Sequence, residues 1–472
     1  MKLVIFGLGR EGYSNYQFLR RIVPDGQIIL TDDLPLEKLS AEWKTILLHD
    51  QTAGFVQTQY FTEDLDSQST IVLSPGIKPA HPLLKKFEKQ RIFITNNTQI
   101  CLELCRPTLA QANPLTAYLP KLSKPPQVIG ITGTKGKSTT TAVIYHLLEG
   151  AGLPVFLGGN IGKPALDLLE LIEKIRGKRS AILVVELSSH QLKRTTISPH
   201  IAVIQAITPE HLDYYQDFKT YLEAKSHIAQ FQQPEDLMIF NADSQTAANL
   251  AQLSKAKHFS FSLVDKKCDC YYKANKIYYH DFSVVKDDEL QLRGEHNLLN
   301  VMPGIIVAQE LKIPAKKINQ NLQTFLPLPH RLELVTQKKG VSYYNDSLST
   351  TPEAAMAAIK SFADQPIVLI AGGFDRGLDY ANLARTILNQ KLKAVILLPD
   401  TGQKIAQLLA NDNQTKTSMP VELVKNLDQA IVASQKYAQP GTIVLLSPGS
   451  ASFNQFKDYR ERGNTFKRLV LN

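Results

Sequence analysis

The sequence predicts an α/β protein of three domains: N-terminal Rossmann-like, central P-loop ATPase-type with a parallel sheet, and C-terminal Rossmann-like. Three observations carry this. A chain of 472 residues has room for three domains of roughly 150 residues, each with a real core. Apolar runs of strand length alternate with stretches of helical periodicity, the pattern of parallel sheets covered by helices. Two of those runs feed glycine-rich turns that open helices, at Gly7 to Gly12 and at Gly130 to Thr140, the setting in which parallel sheets meet nucleotides.

In chain order, Lys2 to Phe6 reads as a buried strand, Gly7-Leu8-Gly9-Arg10-Glu11-Gly12 as G-x-G-x-x-G, and Tyr13 to Ile22 as the helix behind it. A second strand, Gln27 to Thr31, ends in Asp32 and Asp33, acids placed where a ribose hydroxyl would be held in a dinucleotide site. Three readings of the turn stay open: an NAD site, glycines that only let the helix pack close to its strand, or a seat for the diphosphate of another nucleotide. Thr70 to Ile77 is a strand closing on a tight Ser74-Pro75-Gly76 turn, and Arg91 to Thr95 is another strand. The proline-rich, patternless stretch 106–125 is a linker or irregular excursion.

The run Val128-Ile129 leads into Gly130-Ile131-Thr132-Gly133-Thr134-Lys135-Gly136-Lys137-Ser138-Thr139-Thr140 and then a helix. Backbone N–H groups of such a turn wrap a phosphate, aided by the helix N-terminus. Lys137 would reach the β/γ-phosphates, and the Ser138 or Thr139 hydroxyl would hold Mg²⁺. Ile131 stands where the generic pattern has its first glycine; glycines occupy 130 and 133 instead. Ala181 to Glu186 places an acid at the C-terminal end of an apolar strand, where a parallel sheet carries its crevice, so Glu186 is a candidate Mg²⁺ ligand. Ile201 to Ile207 is the next strand, with His211 just past its end and Lys225 on the helix that follows. Residues 255–293 alternate like short strands and read as a peripheral hairpin without chemistry. Pro366 to Gly373, Ala394 to Leu398 and Thr442 to Leu446 are parallel strands of the last sheet.

Apolar content of 43% and charged content of 21% are those of a soluble globular protein. The net charge of +9 suits anionic ligands. Nucleic acid is not expected as a partner, because no aromatic–basic repeat or long basic run is present. Cys101, Cys105, Cys268 and Cys270 are too few for a disulfide framework and match no common zinc spacing. No leader-like start or membrane-length apolar run is seen, which predicts a cytoplasmic protein without a membrane span.

The P-loop, Gly158-Gly159-Asn160-Ile161-Gly162, Glu186-Leu187-Ser188-Ser189-His190-Gln191-Leu192, Glu210-His211-Leu212-Asp213, Ala224-Lys225-Ser226 and Gly294-Glu295-His296-Asn297 together resemble the Mur ligase family of ATP-dependent amino-acid ligases. The resemblance runs over nearly the whole chain, in the family's order and spacing. It implies amide formation through an acyl phosphate, in peptidoglycan precursor synthesis, with ATP and Mg²⁺. By resemblance, Lys137 serves the phosphates, Ser138 or Thr139 and Glu186 hold one metal, and His211 holds a second near the acceptor carboxylate. Lys225 matches the lysine that many members carbamylate, which would replace an ammonium repelled by Mg²⁺ with an anionic ligand. ATP is implied on Gly133, Thr134, Lys135, Gly136, Lys137, Ser138, Thr139, Asn297, Arg331 and Asp346. The N-terminal turn would hold the UDP moiety of the acceptor rather than NAD, with Gly9, Arg10, Asp32, Asp33, Ser74, Gly76, Asn160 and Ser188.

The tail from Ser447 to Gly463 is similar to the family's glutamate-adding branch. That implies UDP-N-acetylmuramoyl-L-alanine and glutamate as substrates, the latter on Thr350, Arg376, Ser452 and Tyr459. Two residues depart from the branch: Leu348 replaces a lysine of many relatives, and Arg376 stands where a lysine usually binds glutamate. An arginine pairs with a carboxylate through a bidentate fork that lysine lacks, so D- and L-glutamate both stay open. The implied domains are 1–105 for the UDP substrate, 106–327 for ATP and 328–472 for glutamate, and a monomer is expected. Another Mur or folylpolyglutamate-type ligase is the nearest alternative, against which Phe453-Asn454-Gln455-Phe456-Lys457 argues. An NAD-dependent dehydrogenase built on Gly7 to Gly12 leaves the P-loop unexplained, and a P-loop switch or motor predicts ATP turnover independent of any amino acid.

Overall fold

Most Val, Ile and Leu runs bounded by glycine turns become strands buried on both faces, and among the described residues twenty strands gather into three sheets. The computed structural model describes residues 2–173, 180–362, 364–390, 392–411 and 419–472. They form two compact units, Met1–Val285 with Leu299–Asn321, and Lys286–Leu298 with Leu322–Asn472. Among the described residues, no helix is long and apolar enough to cross a membrane.

The first sheet holds β1 (Leu3–Phe6), β2 (Ile28–Thr31), β3 (Ala53–Phe55), β4 (Thr70–Leu73) and β5 (Phe93–Thr95), in the order β3-β2-β1-β4-β5. All its pairings are parallel. The order reverses between β1 and β4, so the crevice of the sheet opens where Gly7 and Ser74 leave these strands.

The second sheet holds β6 (Gln127–Thr132), β7 (Val155–Gly159), β8 (Ile182–Glu186), β9 (Ile201–Ile204), β10 (Leu237–Asn241), β11 (Lys257–Ser262), β12 (Cys270–Lys273), β13 (Lys276–Tyr279) and β14 (Phe282–Lys286). Its order is β14-β13-β12-β11-β10-β9-β6-β8-β7. The stretch read from sequence as a peripheral hairpin is larger than that. Its first strand, β11, pairs parallel with β10 and buries Phe259 and Phe261, so it extends the central sheet. The expected hairpin is β12 and β13, turning at Ala274 and Asn275, both with positive φ (47° and 60°), and β14 adds beside β13 at the sheet edge.

The third sheet holds β15 (Glu333–Lys338), β16 (Val341–Asn345), β17 (Ile367–Gly372), β18 (Ala394–Leu398), β19 (Val421–Leu423) and β20 (Ile443–Leu446), in the order β15-β16-β20-β17-β18-β19. Only β15 runs antiparallel to its neighbour.

The first two sheets share one continuous apolar core. Helix Arg10–Ile22 joins them through polar contacts as well. Ser14 Oγ donates to Asp167 (2.5 Å), and Asn97 Nδ2 donates to Ser14 Oγ and Asn15 Oδ1.

Candidate functional site

Strand β6 ends in the P-loop, and its glycines are there for backbone reasons. Gly133 has φ +149°, and a Cβ on it would lie 2.6 Å from Gln205 Cβ; Gly136 has φ +84°, and its Cβ would lie 2.3 Å from Asn300 Oδ1. Thr134 is tied down: its hydroxyl reaches Thr208 O (2.9 Å) and Tyr221 OH (3.0 Å) and accepts from Thr208 N. Lys137 begins the helix Lys137–Gly150 and folds over the loop, Nζ donating to Gly133 O (3.0 Å) and Thr134 O (2.8 Å). Lys135 pairs with Glu210 at 3.3 Å. Ser138 is half-buried. Thr139 is buried, and its Oγ1 has no hydrogen-bond partner among the described residues.

Glu186 ends β8, beside the P-loop strand, and is 1% exposed. Its Oε1 accepts from Asn160 Nδ2 (2.7 Å), while Oε2 is buried without a partner among the described residues. A carboxylate oxygen and a hydroxyl left unpaired by the fold are hard donors suited to Mg²⁺. No group of three or more His, Cys, Asp or Glu able to hold a metal exists among the described residues.

Helix Phe218–Gln230, capped by Asp217, carries Lys225 into the interior, 1% exposed. Nζ donates to Gly133 O (2.8 Å) and Thr132 Oγ1 (3.3 Å) and lies 4.8 Å from the centre of the Tyr221 ring. Burial, then the nearby Lys137 charge, hold its pKa well below the usual lysine value. His211 takes a positive φ of 58° and keeps its side chain 46% exposed, 3.7 Å from Glu210 Oε2. Its ring meets that of His190 edge-on at 5.0 Å, and His190 also packs on Tyr214 at 4.1 Å. Burial first, and the His211 and Lys225 charges next, lower the His190 pKa to about 4.

Some of these groups line a cavity of about 340 Å³; Glu186, Ser138 and Thr139 are not on its wall. Lys137, Lys225, His211 and Tyr221 stand on its wall, as do Asn160, Ser188, Gly76 and Glu11. The G-x-G-x-x-G turn therefore reaches the same cavity as the P-loop. Its glycines divide the work. Gly7 has φ +93°, and a Cβ on Gly12 would lie 2.2 Å from Gly7 O, so these two let the helix pack on its strand. A Cβ on Gly9 or on Gly76 would meet nothing within 4 Å, so open space fronts both.

Several residues expected on the UDP moiety are engaged within the protein. Asp32 accepts from Leu8 N (2.7 Å) and Leu34 N (2.9 Å), and Asp33 from Thr58 Oγ1 and His81 Nε2. Ser74 Oγ donates to Gly7 O (2.5 Å). Arg10 donates to the carbonyls of Gly159, Asn160 and Gly162 and so braces the loop that carries Asn160. Ser188 caps the short helix Ser189–Leu192 in a capping box with Gln191.

In the second unit, Asn297 Nδ2 donates to Arg293 O (2.7 Å) at the start of its helix. Arg331 is half-buried in the loop before β15. Asp346 is an internal brace, accepting from Leu332 N (3.1 Å), Ser349 Oγ (2.5 Å) and Ser447 Oγ (2.8 Å), with burial raising its pKa to about 6. Three of the residues expected to contact glutamate follow neighbouring strand ends: Thr350 after β16, Ser452 after β20, Arg376 after β17. Arg376 is exposed and makes no hydrogen bond or ion pair among the described residues. Tyr459 opens the helix Tyr459–Leu471, its ring 6.0 Å from that of His330. Sequence reasoning passed over Arg462, three residues further along this helix. It is 1% exposed and donates to Ser347 Oγ, Ser347 O, Ser450 O and Ala451 O, clamping the loops after β16 and β20 together. His190 and Glu11 were passed over too, though each lay inside a quoted motif at a strand's C-terminal end.

Three parallel-dominated sheets and a P-loop beside a cavity define a P-loop α/β protein of the nucleotide-handling kind. Residues 131–308 match the Mur ligase middle domain and residues 330–449 match the Mur ligase, glutamate ligase domain. The UDP-N-acetylmuramoylalanine--D-glutamate ligase of Symbiobacterium thermophilum is 31% identical, covering 97% of this chain and 96% of its own length. The ligase of the same name from Clostridium tetani is 29% identical over 100% of this chain and 96% of its own length. The chain belongs to the Mur ligase family. Among solved structures, a MurF ligase from Thermotoga maritima in complex with ADP has a TM-score of 0.60 at 16% identity, covering 94% of this chain and 95% of that one. The UDP-N-acetylmuramate-alanine ligase MurC from Thermotoga maritima has a TM-score of 0.58 at 17% identity, covering 100% and 99%. The fold is thus that of the Mur ligases.

Proposed function

We propose that the protein uses ATP to join glutamate to UDP-N-acetylmuramoyl-L-alanine through an acyl phosphate, as a step of peptidoglycan precursor synthesis. The observation that carries this reading is the convergence of Lys137, His211 and the buried Lys225 on one cavity whose wall includes the glycine turn of the first sheet. The names of the full-length relatives supply the substrates. Residues 1–105 would take the uridine nucleotide, 106–327 ATP and 328–472 glutamate. Gly9 and Gly76, with no atom within 4 Å of an added Cβ, would let the nucleotide approach the backbone.

In this mechanism the acceptor carboxylate attacks the γ-phosphorus of ATP, ADP departs, and the amino group of glutamate then displaces phosphate from the acyl phosphate. Each step crowds negative charge, so placed cations are what the site must provide. Lys137, already folded over the P-loop carbonyls, would turn to the transferring phosphoryl group. Glu186 with Ser138 or Thr139 would hold Mg²⁺, and His211 with a carbamylated Lys225 a second ion. Mg²⁺, when bound, would neutralise phosphate charge and polarise the phosphoryl oxygens. The lowered pKa supports carbamylation of Lys225, because only a neutral amine adds to CO₂. Arg376 would meet the glutamate side-chain carboxylate in a bidentate fork.

Phosphate release by the purified protein with ATP, Mg²⁺ and UDP-N-acetylmuramoyl-L-alanine, adding D- or L-glutamate separately, tests the reading. Release with D-glutamate alone is the expected result. Release with L-glutamate alone keeps the mechanism and changes the amino acid, and release with neither refutes the assigned substrates.

A further inference from the structure

Glu11 is the buried acid of this cavity that the mechanism does not use. It lies in the first turn of the helix Arg10–Ile22, 8% exposed, in the turn that carries Gly9. Its Oε1 accepts from Gln191 Nε2 (2.6 Å), across from the helix Ser189–Leu192. Its Oε2 is buried and has no partner among the described residues. A buried carboxylate left half-paired is costly, and a carboxylic acid with one proton to donate is less so. The helix N-terminus beside it favours an anion. An ionised Glu11 would repel that same anion; a protonated one would bind it.

We propose that Glu11 is a further ligand-contacting residue of the cavity, a carboxylic acid that donates a hydrogen bond from Oε2 to a phosphate oxygen of the bound sugar nucleotide. This rests on the proposed function for the identity of the ligand. Burial raises the Glu11 pKa to about 7, against smaller lowering by the Gln191 hydrogen bond and the Arg10 charge. Arg10, on its own helix, is the charged group that acts on it; Gln191, from the facing helix, is neutral. An arriving phosphate strengthens proton retention further. The predicted behaviour is a sugar-nucleotide site that weakens as the pH rises past neutrality.

The test is isothermal titration of UDP-N-acetylmuramoyl-L-alanine into the full chain at about pH 6 and about pH 8.5, with wild type and Glu11→Gln. The amide of Glu11→Gln is a permanent donor at the place of Oε2, while its oxygen still accepts from Gln191. The wild-type Kd is expected to rise on the order of tenfold between the two pH values, and the Kd of Glu11→Gln to stay constant within about twofold at the wild-type low-pH value. Equal pH responses in the two proteins overturn the role of Glu11, as does weakened binding by Glu11→Gln at both pH values, which would mark an ionised acceptor. Should Glu11→Gln not fold, a flat wild-type Kd overturns the proposal by itself and a rise supports it. No binding by wild type at about pH 6 would overturn the proposed function, and this inference with it.

Discussion

Burial first, and the second ammonium of Lys137 next, hold the Lys225 pKa well below the usual lysine value. Its two hydrogen bonds to Gly133 O and Thr132 Oγ1 hold the nitrogen against the P-loop without supplying a carboxylate to pair it. On the proposed mechanism, Lys225→Ala is expected to fold normally and lose about 100-fold or more in phosphate release. Short carboxylic acids should restore part of the rate, because a carboxylate can occupy the place of the carbamate. Full activity in the variant would return Lys225 to a packing role. Glu186 was singled out from its place at the end of an apolar strand, whereas Lys225 was singled out only by the likeness of Ala224-Lys225-Ser226 to the Mur ligases, since a helical lysine alone reads as a solvated one. The tie between Glu11 and Gln191 spans 180 residues, and that between Arg462 and Ser347 spans 115. Such pairs are made by topology, and no local pattern announces them.

The element that joins the first two sheets is the turn Gly7 to Gly12, and its glycines separate by function. Gly12→Ala places a Cβ 2.2 Å from the Gly7 carbonyl oxygen, a backbone atom that cannot yield without moving the strand end. It is expected to destabilise the first unit by about 2–4 kcal/mol in urea unfolding. Gly9 has an ordinary φ of −77° and open space before it, so Gly9→Ala is expected to leave stability within about 0.5 kcal/mol. The same variant should weaken sugar-nucleotide binding about tenfold if the ligand approaches the backbone there. Equal losses of stability in both variants would mean that the turn is packing alone. The long apolar strands β6, β8, β17 and β20 were readable from their runs and the glycines or acids at their ends. Strands β3 and β19 have Gly54 and Glu422 at their centres and carry no apolar run to read. β10, Leu237–Asn241, is an apolar run that went unread, and β11 was taken for a hairpin because Lys257–Ser262 mixes polar residues into its run. Pairing decided both.

Across the whole molecule, buried acids and buried histidines push stability in opposite directions over the same pH range. Glu11 titrates at about 7 in the folded state against 4.5 for its ordinary value, and Asp346 at about 6 against 3.8, burial being the main cause for both. Between those limits the folded chain binds the extra proton, so these groups lower stability as the pH rises. His190, His200 and His296 are held at about 4 against 6.5, again chiefly by burial. There the unfolded chain binds the extra proton, so they raise stability as the pH rises from about 4 to 6.5. His200 has a structural reason to stay neutral, since its Nδ1 accepts from Val128 N (3.0 Å) at the start of the P-loop strand. The three histidines outweigh the two acids, so the wild-type urea midpoint is expected to rise between about pH 4.5 and 6.5, and single substitutions should expose the opposed halves. Glu11→Gln should match wild type near the acid end and exceed it by about 1–3 kcal/mol above neutrality. His200→Asn, whose Oδ1 replaces the acceptor, should gain on wild type as the pH falls below 6.5. Differences from wild type that do not vary with pH would show that neither burial site perturbs its group.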